Sequence, residues 1–329
     1  MARKTSAPTG GHNDASAPPE VSVVAPCYNE EGNLDTLLAR VSAACKDVVG
    51  ETYEIVLVDD GSADKTWEMI SAAAEKDPRV VGVRLSRNFG HQIALTAGLD
   101  ACRGNWTLVI DADLQDPPEL LGEMMAAARS GADVVYGQRR ARPGDSSMRR
   151  AAAAVFYRLL RLLSDVDIPI DAGDFRLMSR RVLDAVRAMP EQHRYVRGMV
   201  SWAGFKQVPL LYDRSPRVAG ETGYNLRRLI TFSLDAIVGF SEKPLRLATL
   251  TGMLIVFLST LLIFFLIYLW LVQSIPVHGW ISLMAAISFL GGINLFFLGL
   301  IGEYIGRIFV QAKNRPLYVV AERTLGSDG

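Results

Sequence analysis

Cysteine, net charge and motif glycines are what this sequence has least of. Its three cysteines, Cys27, Cys45 and Cys102, are odd in number and scattered. They fit neither a disulfide framework nor a metal knuckle, so reduced thiols of a cytosolic domain are expected. The formal net charge is +0, which offers no general attraction for nucleic acid. No Gly-x-Gly-x-x-Gly follows the first apolar run, and Gly61-Ser-Ala-Asp-Lys65-Thr66 lacks the leading glycine of a triphosphate loop. Dinucleotide and nucleoside triphosphatase chemistry are therefore set aside. Residues 1–19 are rich in Ala, Ser, Pro and Gly and hold no apolar run of the ~7–15 residues that a signal peptide needs. A disordered tail is expected there, with the part that follows it remaining cytoplasmic. There are no internal repeats.

Apolar residues are abundant, at 50% of the 329, and mean hydropathy is +0.18. A soluble domain joined to a short membrane module gives such an average. Leu247–Val272 and Ile281–Gly302 carry no charge, and each exceeds the ~20 residues that cross a bilayer core. A pair of buried core helices seldom stays uncharged for so long, so a transmembrane hairpin over 245–310 is expected. Lys243 and Arg246 precede the first span, and Arg307, Lys313 and Arg315 follow the second, while the connecting loop has no Lys or Arg. The positive-inside rule then puts both ends in the cytoplasm, with Trp270 and Trp280 at the far interface. Small residues, among them Gly302-x-x-x-Gly306, permit close helix approach and suggest a homo-oligomer, a tetramer being one candidate. Tyr224–Phe240 mixes apolar residues with Arg227, Arg228 and Asp235. It suits either an amphipathic juxtamembrane helix within 218–244 or a helix packed on the soluble domain.

In the remainder, 20–217, short apolar runs alternate with helical stretches. Val21–Ala25, Glu54–Asp59, Val80–Leu85, Trp106–Ile110 and Asp133–Tyr136 read as strands. Glu31–Val49, Lys65–Lys76, His91–Cys102, Pro118–Ser130 and Met148–Ser164 read as helices. This alternation predicts an α/β domain with a doubly wound, mostly parallel sheet, which takes ligands beyond the carboxyl ends of its strands. Three loops lie there. In the third, Asp111 and Asp113 leave a strand two residues apart and can converge on one Mg2+ or Mn2+, with the Gln115 oxygen on the same side. A solvated turn is the bland alternative, which the buried strand before it and Pro117-Pro118 behind it disfavour. In the second loop, Asp59 and Asp60 can accept bonds from a base or ribose, or can serve an Asp-Gly turn. In the first, Tyr28 can stack on a base and Glu30 can accept from it, although Asn29 and Glu30 also suit a helix start. His91 and His193 lack a spaced partner and read as structural.

Val-Ala-Pro-Cys-Tyr-Asn-Glu-Glu, Val-Asp-Asp-Gly-Ser, Ser86-Arg-Asn-Phe-Gly-His-Gln92, Asp-Ala-Asp-Leu-Gln-Asp-Pro-Pro-Glu and Asp171-Ala-Gly-Asp-Phe-Arg-Leu177 occur in that order. Together they resemble glycosyltransferase family 2. The likeness is greatest to its polyprenyl-phosphate members, the bactoprenol glucosyltransferases and dolichol-phosphate mannose synthases, and runs from about Val21 to Tyr318. The resemblance implies a GT-A-type fold and metal ligation by Asp111, Asp113 and Gln115. It implies nucleotide contacts at Pro26, Tyr28, Asn29, Glu30, Asp59, Asp60, Asp111 and Ala112. It further implies that Arg139 and Arg149 or Arg150 receive the lipid phosphate and that Asp174 lies near the sugar. A basic patch attracted to lipid headgroups accounts for the same arginines in plainer terms.

The implied reaction is inverting transfer of a hexose from a nucleotide diphosphate-sugar, UDP-glucose by resemblance, to undecaprenyl phosphate. A GDP-mannose enzyme and a non-catalytic membrane scaffold are the alternatives. A processive synthase is disfavoured because Gln192-His-Arg-Tyr-Val does not fit Gln-x-x-Arg-Trp. A flippase is disfavoured because the spans hold no polar path.

Overall fold

A computed structural model describes residues 17–139, 172–213, 243–273 and 279–324. The expected helix Met148–Ser164, the amphipathic stretch Tyr224–Phe240 and residues Arg149 and Arg150 lie outside the described residues.

The strands are β1 (Val21–Cys27), β2 (Tyr53–Asp59), β3 (Val80–Leu85), β4 (Trp106–Val109), β5 (Val134–Arg139), β6 (Ala172–Ser179), β7 (Gln207–Tyr212) and β8 (Val320–Arg323). The helices of the catalytic unit are α1 (Leu34–Val49), α2 (Thr66–Lys76), α3 (His91–Ala101), α4 (Leu121–Arg129), α5 (Arg180–Ala188) and α6 (Val196–Trp202). Two long helices follow, α7 (Lys243–Gln273) and α8 (Trp280–Ala312). One mixed sheet orders the strands β7-β5-β6-β4-β1-β2-β3-β8. Its centre, β4-β1-β2-β3, is parallel; β6 and β8 run against their neighbours.

Every residue of β1 and β2 is buried, as strands covered on both faces require, and this is why they read as unbroken apolar runs. One face carries a core with Leu34, Leu37, Val41, Ile70, Leu121 and Met124. The other carries Leu95, Leu99, Val182, Leu183, Val186 and Met199. Helices on both faces confirm the doubly wound architecture. In α1, Leu34, Leu37, Val41, Ala44 and Cys45 are buried at helical spacing and define its sheet-facing stripe. All three cysteines are free and buried; burial pushes the Cys45 thiol up to about 12, so it is inert at neutral pH.

β6, β7 and β8 were not expected. β6 places Asp174 and Arg176 inside the sheet, against the apolar pattern of a buried strand. All four residues of β8 are exposed, so no burial pattern announces it. The residues that follow the hairpin thus supply an edge strand.

α7 and α8 touch each other and present Leu254, Phe257, Phe265, Phe289, Leu295 and Phe296 outward. Core helices of a soluble protein would bury such residues; these helices form a membrane-association module. Among the described residues, Phe289–Ala312 is long and apolar enough to cross a membrane, and Ala248–Leu262 is a shorter apolar stretch. Thr249 and Thr260 return their hydroxyls to the carbonyls of Leu245 and Val256, which satisfies them within the helix. The far end of α8 meets the catalytic unit. Gln311 Nε2 donates to the Pro190 carbonyl at 2.8 Å and its Oε1 accepts from Gln192 N–H at 2.8 Å.

Candidate active site

The carboxyl ends of β1, β2 and β4 bring the three acidic loops to one edge. The first two are stitched to each other. Asn29 N–H donates to Ser62 Oγ at 3.0 Å, and Ala63 N–H donates to Asn29 Oδ1 at 2.9 Å. Glu30 N–H donates to Thr66 Oγ1 at 2.9 Å, and Glu30 itself accepts from Asn33 Nδ2 at 2.7 Å. Asn29 holds a left-handed φ of 55°, which this residue type tolerates. Tyr28 is left half exposed, while Pro26 lies within buried β1.

Asp59 and Asp60 are both buried. Asp59 Oδ1 accepts from Ser62 N–H at 3.1 Å. Asp60 accepts from Phe89 N–H at 2.7 Å and Gly90 N–H at 2.9 Å, clamping the segment that starts α3. Gly61 is required between them and that segment. Its φ is 68°, and a Cβ would lie 2.5 Å from the Arg87 carbonyl carbon.

The third loop differs. Asp111 is partly exposed, yet its Oδ1 is buried without a hydrogen-bond partner among the described residues. Burial, with help from the charges of Asp174, Asp116 and Asp113 and against that of His91, raises its carboxyl to about 6. Asp113 Oδ1 accepts from Gln115 N–H at 3.1 Å. Ala112 and Gln115 are buried. Leu114, between them, is buried with a φ of 59°, a strained conformation for leucine held by its side chain in the core. Tyr212 Oη–H donates to Asp116 Oδ1 at 2.5 Å, tying the loop to β7.

Asp174 enters from β6 and is surrounded by donors. His91 Nε2 lies 3.1 Å from Oδ2, Gln92 Nε2 donates to Oδ2 at 3.0 Å, and Arg197 Nε donates to Oδ1 at 2.9 Å. Burial alone would raise this carboxyl; the His91 bond and the Arg197 charge outweigh it and hold it well below the usual range. Burial likewise lowers the His91 imidazole, but Asp174 and Asp111 prevail and lift it. Burial pulls the Arg176 guanidinium down to about 10 beside this pair.

His91, Asp111 and Asp174 bring one ligand atom each within 4.8 Å of one another. Asp113, expected beside Asp111, is not among them. The unsatisfied Asp111 oxygen and a set of carboxylates with one imidazole fit a divalent cation. In the sequence His91 has no spaced partner and nothing marks Arg197. His91 sits in a motif already noticed, beside Gln92, which was a usable signal; Arg197 comes from a distant helix and had none. Arg139 ends β5 at the same sheet.

Residues 22–187 match the family described as Glycosyl transferase family 2, and residues 243–308 match the GtrB C-terminal hairpin. An uncharacterised glycosyltransferase of Bacillus subtilis is 47% identical over 301 residues, covering 92% of this chain and 93% of that protein. A prophage-derived bactoprenol glucosyl transferase of Shigella flexneri is 38% identical over 308 residues, covering 94% and 99%. Among solved structures, a mannosyltransferase of Pyrobaculum calidifontis in complex with GDP-Man and Mn2+ is similar at 20% identity, with a TM-score of 0.47 over 70% of this chain and 65% of that one.

Proposed function

Because the chain belongs to glycosyltransferase family 2 and carries the GtrB C-terminal hairpin, we propose that it moves one hexose, with inversion, from a nucleotide diphosphate-sugar to a polyprenyl phosphate. The donor is UDP-glucose and the acceptor undecaprenyl phosphate. The catalytic unit spans 20–217, the juxtamembrane region 218–244 and the hairpin 245–310. Both hairpin helices cross the cytoplasmic membrane, both termini are cytoplasmic, and the enzyme is a homo-oligomer.

One observation carries this reading: an acidic edge with an unsatisfied carboxylate and a pair of outward-facing apolar helices occur in one chain, and β8 joins them. The full-length likeness to a bactoprenol glucosyl transferase supports the acceptor. The return of α8 to the catalytic unit at Gln192 supports an even number of crossings.

A phosphate monoester acceptor has a second pKa near ~6, so the nucleophile is already anionic at neutral pH. The site's task is placement and charge handling rather than deprotonation. Tyr28 stacks on the base, and the Asn29–Ser62 and Asp60–Gly90 bonds fix the loops around it. Asp111 and Asp113, with Gln115, would hold Mg2+ or Mn2+. When bound, that ion offsets the charge of the departing diphosphate. Asp174, locked by His91, Gln92 and Arg197, orients a sugar hydroxyl. Arg139, with Arg149 or Arg150, receives the acceptor phosphate.

The test is a labelled donor panel, UDP-glucose and GDP-mannose included, with purified enzyme, Mg2+ or Mn2+ and polyprenyl phosphate, followed by lipid extraction. One sugar per lipid from UDP-glucose is expected. Label from GDP-mannose would reassign the donor, sugar chains would reveal a processive synthase, and no transfer from any donor would leave a scaffold. Arg139→Ala should raise the KM for the lipid phosphate while sparing that of the donor.

A further inference from the structure

Sheet register lines up three charges at the carboxyl edge. Asp59 on β2 is the Cα partner of Arg84 on β3, and Arg84 is the partner of Glu322 on β8. Asp59 is wholly buried, and one of its oxygens is taken by Ser62. The other, Oδ2, is buried and makes no hydrogen bond among the described residues; Arg84 Nε faces it at 3.5 Å. A buried carboxylate oxygen without a hydrogen bond is held in place by the nearest cation.

Arg84 is itself held. Its Nη1 donates to Glu322 Oε1 at 2.8 Å, and its guanidinium lies over the Trp67 ring, 5.7 Å from the centroid. Glu322 uses its second oxygen to accept from Trp67 Nε1–H at 3.1 Å. A lone surface ion pair contributes little. This one is braced by an indole on both partners and abuts a buried charge, so it fixes a direction as well as closing a contact.

We propose that Arg84 and Glu322 are positioning residues for the nucleotide-sugar donor. The strand that returns from the membrane helices clamps Arg84, and Arg84 holds Asp59. Asp59 in turn holds the turn at Ser62, whose hydroxyl fixes Asn29 beside Tyr28. This assignment rests on the donor site proposed above, and its experiment is arranged to fail separately.

Full-length enzyme in lipid nanodiscs would be compared as wild type, Arg84→Gln, Arg84→Lys, Glu322→Gln and the reversed pair Arg84→Glu with Glu322→Arg. Arg84→Gln should raise the donor KM about tenfold and Glu322→Gln about threefold, each leaving the polyprenyl-phosphate KM within about twofold. Arg84→Lys should keep most of the donor affinity. The reversed pair restores the strand-to-strand attraction but sets a carboxylate against Asp59. It should therefore fail to recover the donor KM. An unchanged donor KM in Arg84→Gln would overturn the assignment, as would full recovery in the reversed pair, since the row would then only fasten β8. If wild-type enzyme transferred no sugar, the proposed function would fall. UDP and GDP affinities of the same variants by calorimetry would still decide the positioning role.

Discussion

Two acidic loops leave parallel strands at the same edge of this sheet, and they use their carboxylates differently. Asp60 is buried and spends both oxygens on the N–H groups of Phe89 and Gly90, while buried Asp59 gives one oxygen to Ser62 N–H and turns the other toward the Arg84 guanidinium. Asp111 is partly open, and one of its oxygens has no hydrogen-bond partner among the described residues. The first pair builds the rim, and the second loop is left with bonding capacity for something that binds. Adjacent aspartates after an apolar strand therefore do not announce their role by type; the distinction lies in which neighbouring N–H groups fold back onto them.

The contrast breaks most visibly at Asp111. Asp111→Asn should lower kcat by about 10²–10³-fold while the melting temperature holds; equal activity in wild type and variant, or undiminished wild-type turnover in EDTA, would erase the distinction. Asp60→Ala should do the reverse damage. It strands two partly buried N–H groups, so about 1–3 kcal/mol of stability should disappear, seen as a lower melting temperature even without substrate. Tyr28→Ala removes an exposed ring and should raise the donor KM roughly tenfold, the size of one base–aromatic stack, with no change in melting.

The smallest effect concerns pH. Asp111 binds its proton more tightly in the folded chain, with a value near 6, than in the unfolded one, at about 4. In EDTA, its contribution therefore makes stability fall as pH rises between those two values. Mn2+ added at pH 7.5 should raise the melting temperature by about 2–4 °C. No shift with Mn2+ would mean that Asp111 is no more a ligand than Asp60.

The central parallel strands were legible because both faces of β1 and β2 are covered, which writes an uninterrupted apolar run into the chain. The Asp111 loop was legible because its acids follow such a run. The elements that complete the site were not. β6 breaks the apolar rule by carrying Asp174 and Arg176 inward, and their mutual compensation with His91 and Arg197 exists only after folding. The bland reading as turn chemistry matches the Asp59 bond to Ser62 N–H, three residues on, but not Asp60, whose N–H partners at Phe89 and Gly90 come from the next strand–helix loop. β8 could not be read from an exposed four-residue stretch; only the open edge of β3 gives it a reason to form.

That last strand sets a schedule for synthesis. Arg84 and Glu322 are separated by 238 positions, which a ribosome adding ~5–20 residues per second covers in roughly 10–50 s. Throughout that interval the outer rim of β3 has no covering strand. Nascent chains arrested before Val320 should be cut by protease near β3 or recruit a chaperone there, and release of the final few residues should end both.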